Sequence, residues 1–295
     1  MSSEDRALKE IAANLRAAVR HLSVDIGQRS FADVGKLDTA ADYIEKTFRT
    51  AGCLVRRQRF LYRGKAYWNV IAEVKGTEEE RGDGILVIGA HYDTVAGTPG
   101  ADDNASGIAG LLELARRAAS NPFRKTTRFV AFSLEEPPVF MTSRMGSHVY
   151  AESLRDAGVG VFGMVSLEML GYYCDRDDCQ FYPASIFKWF YPHKGDFIAF
   201  VGNLSSKRFT EALKNAFTAA SSLPVESLNA WSIIPGVDFS DHRSFWKFGY
   251  PACMITDTAF YRNPNYHGPG DSAETLDYGK MAELVAGLYG AFKDL

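Results

Sequence analysis

Four short apolar runs constrain this chain more than any other feature. They are Ile85 to Ala90, Phe129 to Phe132, Val161 to Leu167 and Pro251 to Thr256. None alternates with polar residues, so each predicts a strand buried on both faces, as in parallel sheets covered by helices. Helical spacing surrounds them. Leu8, Ile11, Leu15, Val19 and Leu22 predict a helix over 4–22, and Leu37, Ala40, Ala41, Ile44 and Phe48 a second. Strands are expected near 54–60 and 66–75, and the charged stretch Gly76 to Gly84 reads as a turn. A further helix begins near Gly107, with Ile108, Leu111, Leu112 and Ala115 on one side. Residues 278–292 close the chain as a helix, with Met281, Leu284, Val285, Leu288 and Phe292 inward. The expected fold class is α/β: a single globular domain over residues 1–295, with a mixed, largely parallel β-sheet flanked by helices.

Composition removes several classes. Hydrophobic residues make up 46% and charged ones 23% of the 295 residues, which excludes a disordered or fibrous chain. A net charge of -3 gives no basic field for nucleic acid. No apolar run approaches the roughly 18 residues of a membrane span, so no membrane partner is expected. The start, Met1-Ser-Ser-Glu-Asp-Arg, lacks the apolar core of a signal peptide, and the expected location is cytoplasmic. The four cysteines, Cys53, Cys174, Cys179 and Cys253, are too few for a disulfide framework. Oligomeric state is left open.

The buried strands end in metal-ligand chemistry. His91 and Asp93 follow the first run. Asp102 and Asp103 precede the helix at Gly107, Glu135 and Glu136 follow the second run, Glu168 ends the third, and His267 lies in the loop after the fourth. In open α/β sheets ligands bind beyond the carboxyl ends of the strands, so these residues are expected to converge on one cleft. Two imidazoles and several carboxylates suit zinc or a similar divalent ion. Asp93, two residues from His91, is placed to orient it. Asp103 at a helix start lies in a field that favours a carboxylate. Glu135 and Glu136, if extended, point in opposite directions, so one can bind metal while the other serves as general base. Singly, each feature has an ordinary reading as a cap or a solvated pair; the ordered set favours metal.

The motifs GAHYDT, GADDNASG, the Glu135-Glu136 pair, SLEMLGY, SDHRSFW and YHGPGD together resemble the co-catalytic di-zinc aminopeptidases of clan MH, family 28. The resemblance runs from about residue 25 to 290. It implies the zinc-exopeptidase fold, two Zn2+ (with Co2+ or Mn2+ as substitutes) and peptide substrates cut at the N-terminal bond. It implies His91 on one ion and His267 on the other, Asp103 between them, and Glu136 and Glu168 each completing one shell. It further implies Glu135 as general base, Asp93 as the residue orienting His91, Tyr266 as hydrogen-bond donor to the oxyanion, and Asp241 as support near the last histidine.

Two departures stand out. Glu168 occupies a position where secreted aminopeptidases of this family usually have aspartate, so its longer arm alters the pocket near the substrate amine. Cys174 and Cys179, in Cys-Asp-Arg-Asp-Asp-Cys, suit either a loop disulfide or two free thiols, and the cytoplasmic expectation favours free thiols. His21, His148 and His193 read as surface or packing residues. His242 is a secondary candidate for the cleft. The aromatic stretch 181–200 reads equally as a pocket wall or as core. A carboxypeptidase, an N-acyl amidohydrolase, a glutaminyl-cyclase-like acyl transferase and a non-catalytic receptor-like domain remain alternatives on the same fold. A carboxypeptidase would need a cation for the substrate carboxylate, and Arg243 is the candidate near a motif.

Overall fold

A computed structural model describes residues 2–78 and 84–295. The middle of the expected turn at 76–84 lies outside the described residues. The helices are α1 (Ser3–Arg20), α2 (Val34–Thr50), α3 (Gly107–Ser120), α4 (Gly146–Asp156), α5 (Lys207–Ala220), α6 (His242–Trp246) and α7 (Tyr278–Asp294). The strands are β1 (Leu54–Tyr62), β2 (Lys65–Val74), β3 (Ile85–His91), β4 (Thr127–Phe132), β5 (Val161–Glu168), β6 (Ile198–Gly202), β7 (Val225–Asn229) and β8 (Ala252–Thr256).

These strands form one mixed sheet in the order β1-β2-β4-β3-β5-β8-β6-β7. The four apolar runs are its middle: β4, β3, β5 and β8 lie side by side and parallel. Their uniform apolarity follows from cover on both faces. Every residue of β3 and β8 is buried. On one face Ile88, Phe129 and Val165 pack with Leu15, Leu37, Leu111 and Leu284 of the helices α1, α2, α3 and α7. On the other, Val87, Val130 and Met164 meet Tyr150 and Leu154 of α4 and Phe245 of α6. A buried Leu, Ile or Phe contributes about 1.5–3 kcal/mol relative to exposure, so this double cover dominates the fold's stability.

The hairpin β1-β2 joins β4 antiparallel, and β6-β7 joins β8 through an antiparallel β6. The chain runs from β3 outward to β4, then returns to place β5 on the other side of β3. That reversal opens a crevice at the carboxyl ends of β3 and β5. The two expected N-terminal helices, both hairpin strands and the closing helix match these elements. Sequence reading proposed neither β6 and β7 nor α4, α5 and α6.

One expectation is overturned here. Cys174 and Cys179 are joined by a disulfide, with Cα atoms 6.4 Å apart, rather than standing as free thiols. A turn at 177–178 lies between the two cysteines, and Cys174 is held in a β-bridge to Gly195. Cys53 and Cys253 are free and buried. No helix among the described residues is long and apolar enough to cross a membrane.

Candidate metal centre and active site

The site lies at the crevice and is built from strand ends. His91 is the last residue of β3 and Glu168 the last of β5. His91 Nε2 lies 3.3 Å from Glu168 Oε1 and 3.4 Å from Asp103 Oδ1. On the other side of Asp103, His267 Nε2 lies 3.1 Å from Asp103 Oδ2 and 3.4 Å from Glu136 Oε2. Two three-residue clusters therefore share one carboxylate: His91, Asp103 and Glu168, and Asp103, Glu136 and His267. Within each, the potential ligand atoms all lie within 4.8 Å of one another.

Leu134, Met169 and His267 all have positive φ, at 61°, 52° and 56°. A non-glycine residue there costs roughly 1–2 kcal/mol, and such strain concentrates where a site needs it. Leu134 turns the chain just before Glu135, Met169 just after Glu168, and His267 is itself in the site. The turn at Leu134 corrects the expectation for the glutamate pair. Glu135 and Glu136 lie beyond the end of β4 at Phe132, after the left-handed residue Leu134. Both side chains consequently reach the same space, within 4.8 Å of His91.

Asp103 sits in an irregular turn, φ -103° and ψ 89°, just ahead of α3. Its backbone N–H donates to Asp271 Oδ2 at 3.1 Å, and that of Asp102 to Asp271 Oδ1 at 2.8 Å. Asp102 in turn accepts from Gly171 N and Asn263 Nδ2. Asn104 accepts from Gly107 N and Met169 N, linking this turn to the end of β5. Arg29, fully buried, donates to the carbonyls of Tyr92, Leu22, Gly27, Pro99 and Gly100, and so ties the N-terminal segment to the loop ahead of Asp103.

Asp93 does more than orient His91. Its carboxylate is 3.6 Å from His91 Nδ1, beyond a good hydrogen bond, while its backbone oxygen is 3.2 Å away. The carboxylate instead accepts the backbone N–H groups of Glu135 and Glu136, each at 3.0 Å. It fixes the direction of both glutamates. Glu168 is held by Ser240, whose hydroxyl donates to Oε2 at 2.7 Å.

The electrostatics suit a cation. Burial pushes the Glu135 carboxyl well above its ordinary range; His91 opposes this, and Glu168, Asp241 and Asp93 add to it. Burial and the nearby Asp103 and Glu135 do the same to Glu136. Burial alone would lower the His91 pKa, but Glu168, Asp103 and Asp93 raise it well above normal. Asp103 is held low: burial would raise it, but both histidines more than offset that. Asp103 Oδ1 and Glu136 Oε1 are buried without a hydrogen-bond partner. Bare buried carboxylate oxygens are rare, and cations held by these clusters would satisfy them. The donor set fits zinc or another first-row divalent ion.

Other candidates settle differently. Asp241 is buried, and His91, Glu168 and Asp93 are among the charges acting on it. His242 is not in the cleft: its Nε2 lies 2.8 Å from the Val237 carbonyl and its ring packs edge-on against Trp246. Tyr266 stacks on the His267 ring, with centroids 3.8 Å apart. Arg243 pairs with Asp238 at 3.1 Å. His21 and His193 pair with Asp25 and Asp178, and His148 packs on Phe248. Sequence reading missed Asp271, Ser240, Asn104 and Arg29. Asp271, Asn104 and Ser240 had a signal, since they lie in the YHGPGD, GADDNASG and SDHRSFW motifs; Arg29 had none.

Comparison with known proteins agrees with this geometry. An uncharacterised Escherichia coli K12 protein, YfbL, is 42% identical over 282 residues, covering 93% of this chain and 85% of its own length. A probable leucine aminopeptidase of Trichophyton verrucosum is 26% identical over 243 residues; the match covers 77% of this chain but only 57% of the fungal protein. Among solved structures, LapB of Legionella pneumophila superposes with a TM-score of 0.75 at 22% identity, over 99% of this chain and 74% of its own. The zinc aminopeptidase BSAP of Bacillus subtilis gives 0.73 at 16% identity, over 94% of both chains. These two likenesses speak for the fold. The model of peptidase family M28 matches residues 69–289, about three quarters of the sequence, and the chain belongs to that family.

Proposed function

We propose that this protein is a metallo-aminopeptidase that holds two divalent ions, zinc first among them, and releases the N-terminal residue of peptides. The observation that carries this reading is the pair of three-residue clusters sharing Asp103. His91 and Glu168 complete one site with Asp103, and His267 and Glu136 the other. Bound there, the ions supply Lewis acidity and a water acidic enough to ionise near neutral pH.

The chain's own residues do the remaining work. Glu135 lies outside the two clusters that share Asp103 but beside both His91 and Glu136, which places its carboxyl, raised by burial, at the ions to exchange a proton. It accepts the proton of the attacking water at its carboxylate and returns it to the leaving amine. The Tyr266 phenol, kept protonated by burial and then by the surrounding acids, donates to the carbonyl oxygen as negative charge develops. Asp93 holds Glu135 and Glu136 in place through their backbone N–H groups.

The choice of peptide end follows from charge. Acids outnumber cations at the crevice, so a terminal ammonium finds partners there. A terminal carboxylate would need a free cation, and Arg243 is occupied by Asp238. Both ligand clusters are complete, which favours this reading over a single-ion acyl transferase and over a receptor-like domain. The test uses metal-loaded protein and matched peptides, free or acetylated at the amino end. Cleavage of the free peptide alone is expected. Equal rates on both, or release from the carboxyl end, would move the assignment to an amidohydrolase or a carboxypeptidase.

A further inference from the structure

Beside the metal-ligand clusters lies a largely apolar pocket that begins at Glu168 and Tyr266. Phe197, Ala199, Val201, Leu228 and Met254 form its inner wall, from the faces of β6, β7 and β8. Tyr182, Phe187 and Tyr191 form another wall, ring against ring at centroid distances of 5.8–6.3 Å. One ionisable side chain other than Glu168 and the tyrosines lines this pocket: Glu226, in the edge strand β7.

Glu226 is out of place for a pocket wall. Side chains alternate along a strand, so Glu226 and Leu228 face the pocket while Ser227 faces α5, where Lys214 donates to its hydroxyl at 3.3 Å. Against the upward push of burial, Lys214 also acts on Glu226 to lower its carboxyl, but it forms no ion pair with it. The neighbouring phenols are also committed: Tyr182 donates to the Pro192 carbonyl and Tyr191 to the Ser227 carbonyl. Among the described residues no hydrogen bond or ion pair of Glu226 is formed. A half-buried carboxylate between aromatic faces, with Lys214 acting on it only from beyond ion-pair range, is costly unless a ligand brings a cation into contact.

We propose that Glu226 sets the specificity of this pocket, selecting a lysine or arginine side chain on the residue to be released. Such side chains match both of its features. Their methylene stems lie along the apolar wall, and their cationic ends meet the carboxylate and the aromatic faces. This rests on the aminopeptidase reading above, which fixes the residue next to Glu168 as the one released.

The experiment compares lysine and norleucine, which share a stem and differ in the terminal ammonium. The ratio of kcat/KM for the lysyl and norleucyl amides is expected to exceed one in the native protein. In Glu226→Gln it should fall roughly 10–100-fold, the range for losing a hydrogen bond to a charged group. A native preference for norleucine, or an unchanged ratio in Glu226→Gln, overturns the proposal. If neither amide is hydrolysed, the aminopeptidase reading fails, and equilibrium binding of free L-lysine and L-norleucine still reads the pocket. Preferential lysine binding that collapses in Glu226→Gln supports the assignment; equal binding of the two overturns it.

Discussion

Asp93→Asn is the substitution whose effect the structure predicts most fully. The native carboxylate accepts two backbone N–H bonds, from Glu135 and Glu136, both at 3.0 Å and both buried. An asparagine presents one oxygen and one NH2 group in the same shape, so one of the two backbone donors faces another donor. Leaving a buried N–H unsatisfied costs about 1–3 kcal/mol, and the surviving bond loses its charge assistance, roughly another 1 kcal/mol. Removing the Asp93 charge also relieves Glu135 and Glu136, both of which it pushes up, and this offsets part of the loss. The net expectation is about 1–3 kcal/mol of destabilisation. With an unfolding entropy of about 2.1 cal/mol/K per residue, that lowers Tm by about 2–5 °C for a chain of this length. The assay is thermal unfolding of metal-free protein, which separates this effect from loss of bound metal. Metal-loaded Asp93→Asn should also turn over more slowly, because Glu135 is no longer aimed. Native Tm together with native activity would refute the claim that Asp93 positions the glutamates.

The remaining predictions concern the glutamates and pH. Glu135→Gln should keep its metal and lose about 10²–10⁴-fold in kcat, the usual range for a general base, whereas Glu136→Gln should lower metal occupancy measured on the purified protein. A reversal of those two phenotypes would swap their roles. The pH dependence of metal-free protein follows from Asp241 and Asp271, whose carboxyls burial pushes up to about 7 from an ordinary 3.8, nearby acids adding to the effect. Their folded-state pKa is raised, so the folded protein binds the extra protons: this stability is complete below about pH 4 and is lost as pH rises through about 7. Melting temperatures of metal-free protein should therefore fall between pH 5 and pH 8, and saturating zinc should flatten that slope; a rising slope without metal would contradict the assignment.

The legible parts of the molecule are those where one physical cause acts alone. Burial on both faces makes β3, β4, β5 and β8 uniformly apolar, and that composition survives any context. An acid or histidine at the end of such a strand is conspicuous for the same reason, which is why His91 and Glu168 could be placed in one cleft. The convergence of Glu135 and Glu136 was hidden because it depends on the left-handed turn at Leu134, a residue type that carries no signal for positive φ. Arg29 was invisible, and Ser240 was legible only as part of SDHRSFW, because their roles lie in what they touch, which local sequence does not encode. The aromatic stretch 181–200 divides between both of its readings: Tyr182 and Tyr191 wall the pocket, while Phe200 is core. Residues of β7 are all half-buried, and an edge strand of that kind lacks the apolar run that marks the centre.

The central claim is that one carboxylate, Asp103, serves two metal sites at once. The most direct test is zinc stoichiometry by titration of chelator-stripped protein, native and substituted. Native protein should bind two ions per chain, His267→Ala should retain one, and Asp103→Asn should weaken both. A single ion on native protein, undiminished hydrolysis after chelation, or an Asp103→Asn protein that still binds two ions at native affinity would contradict it.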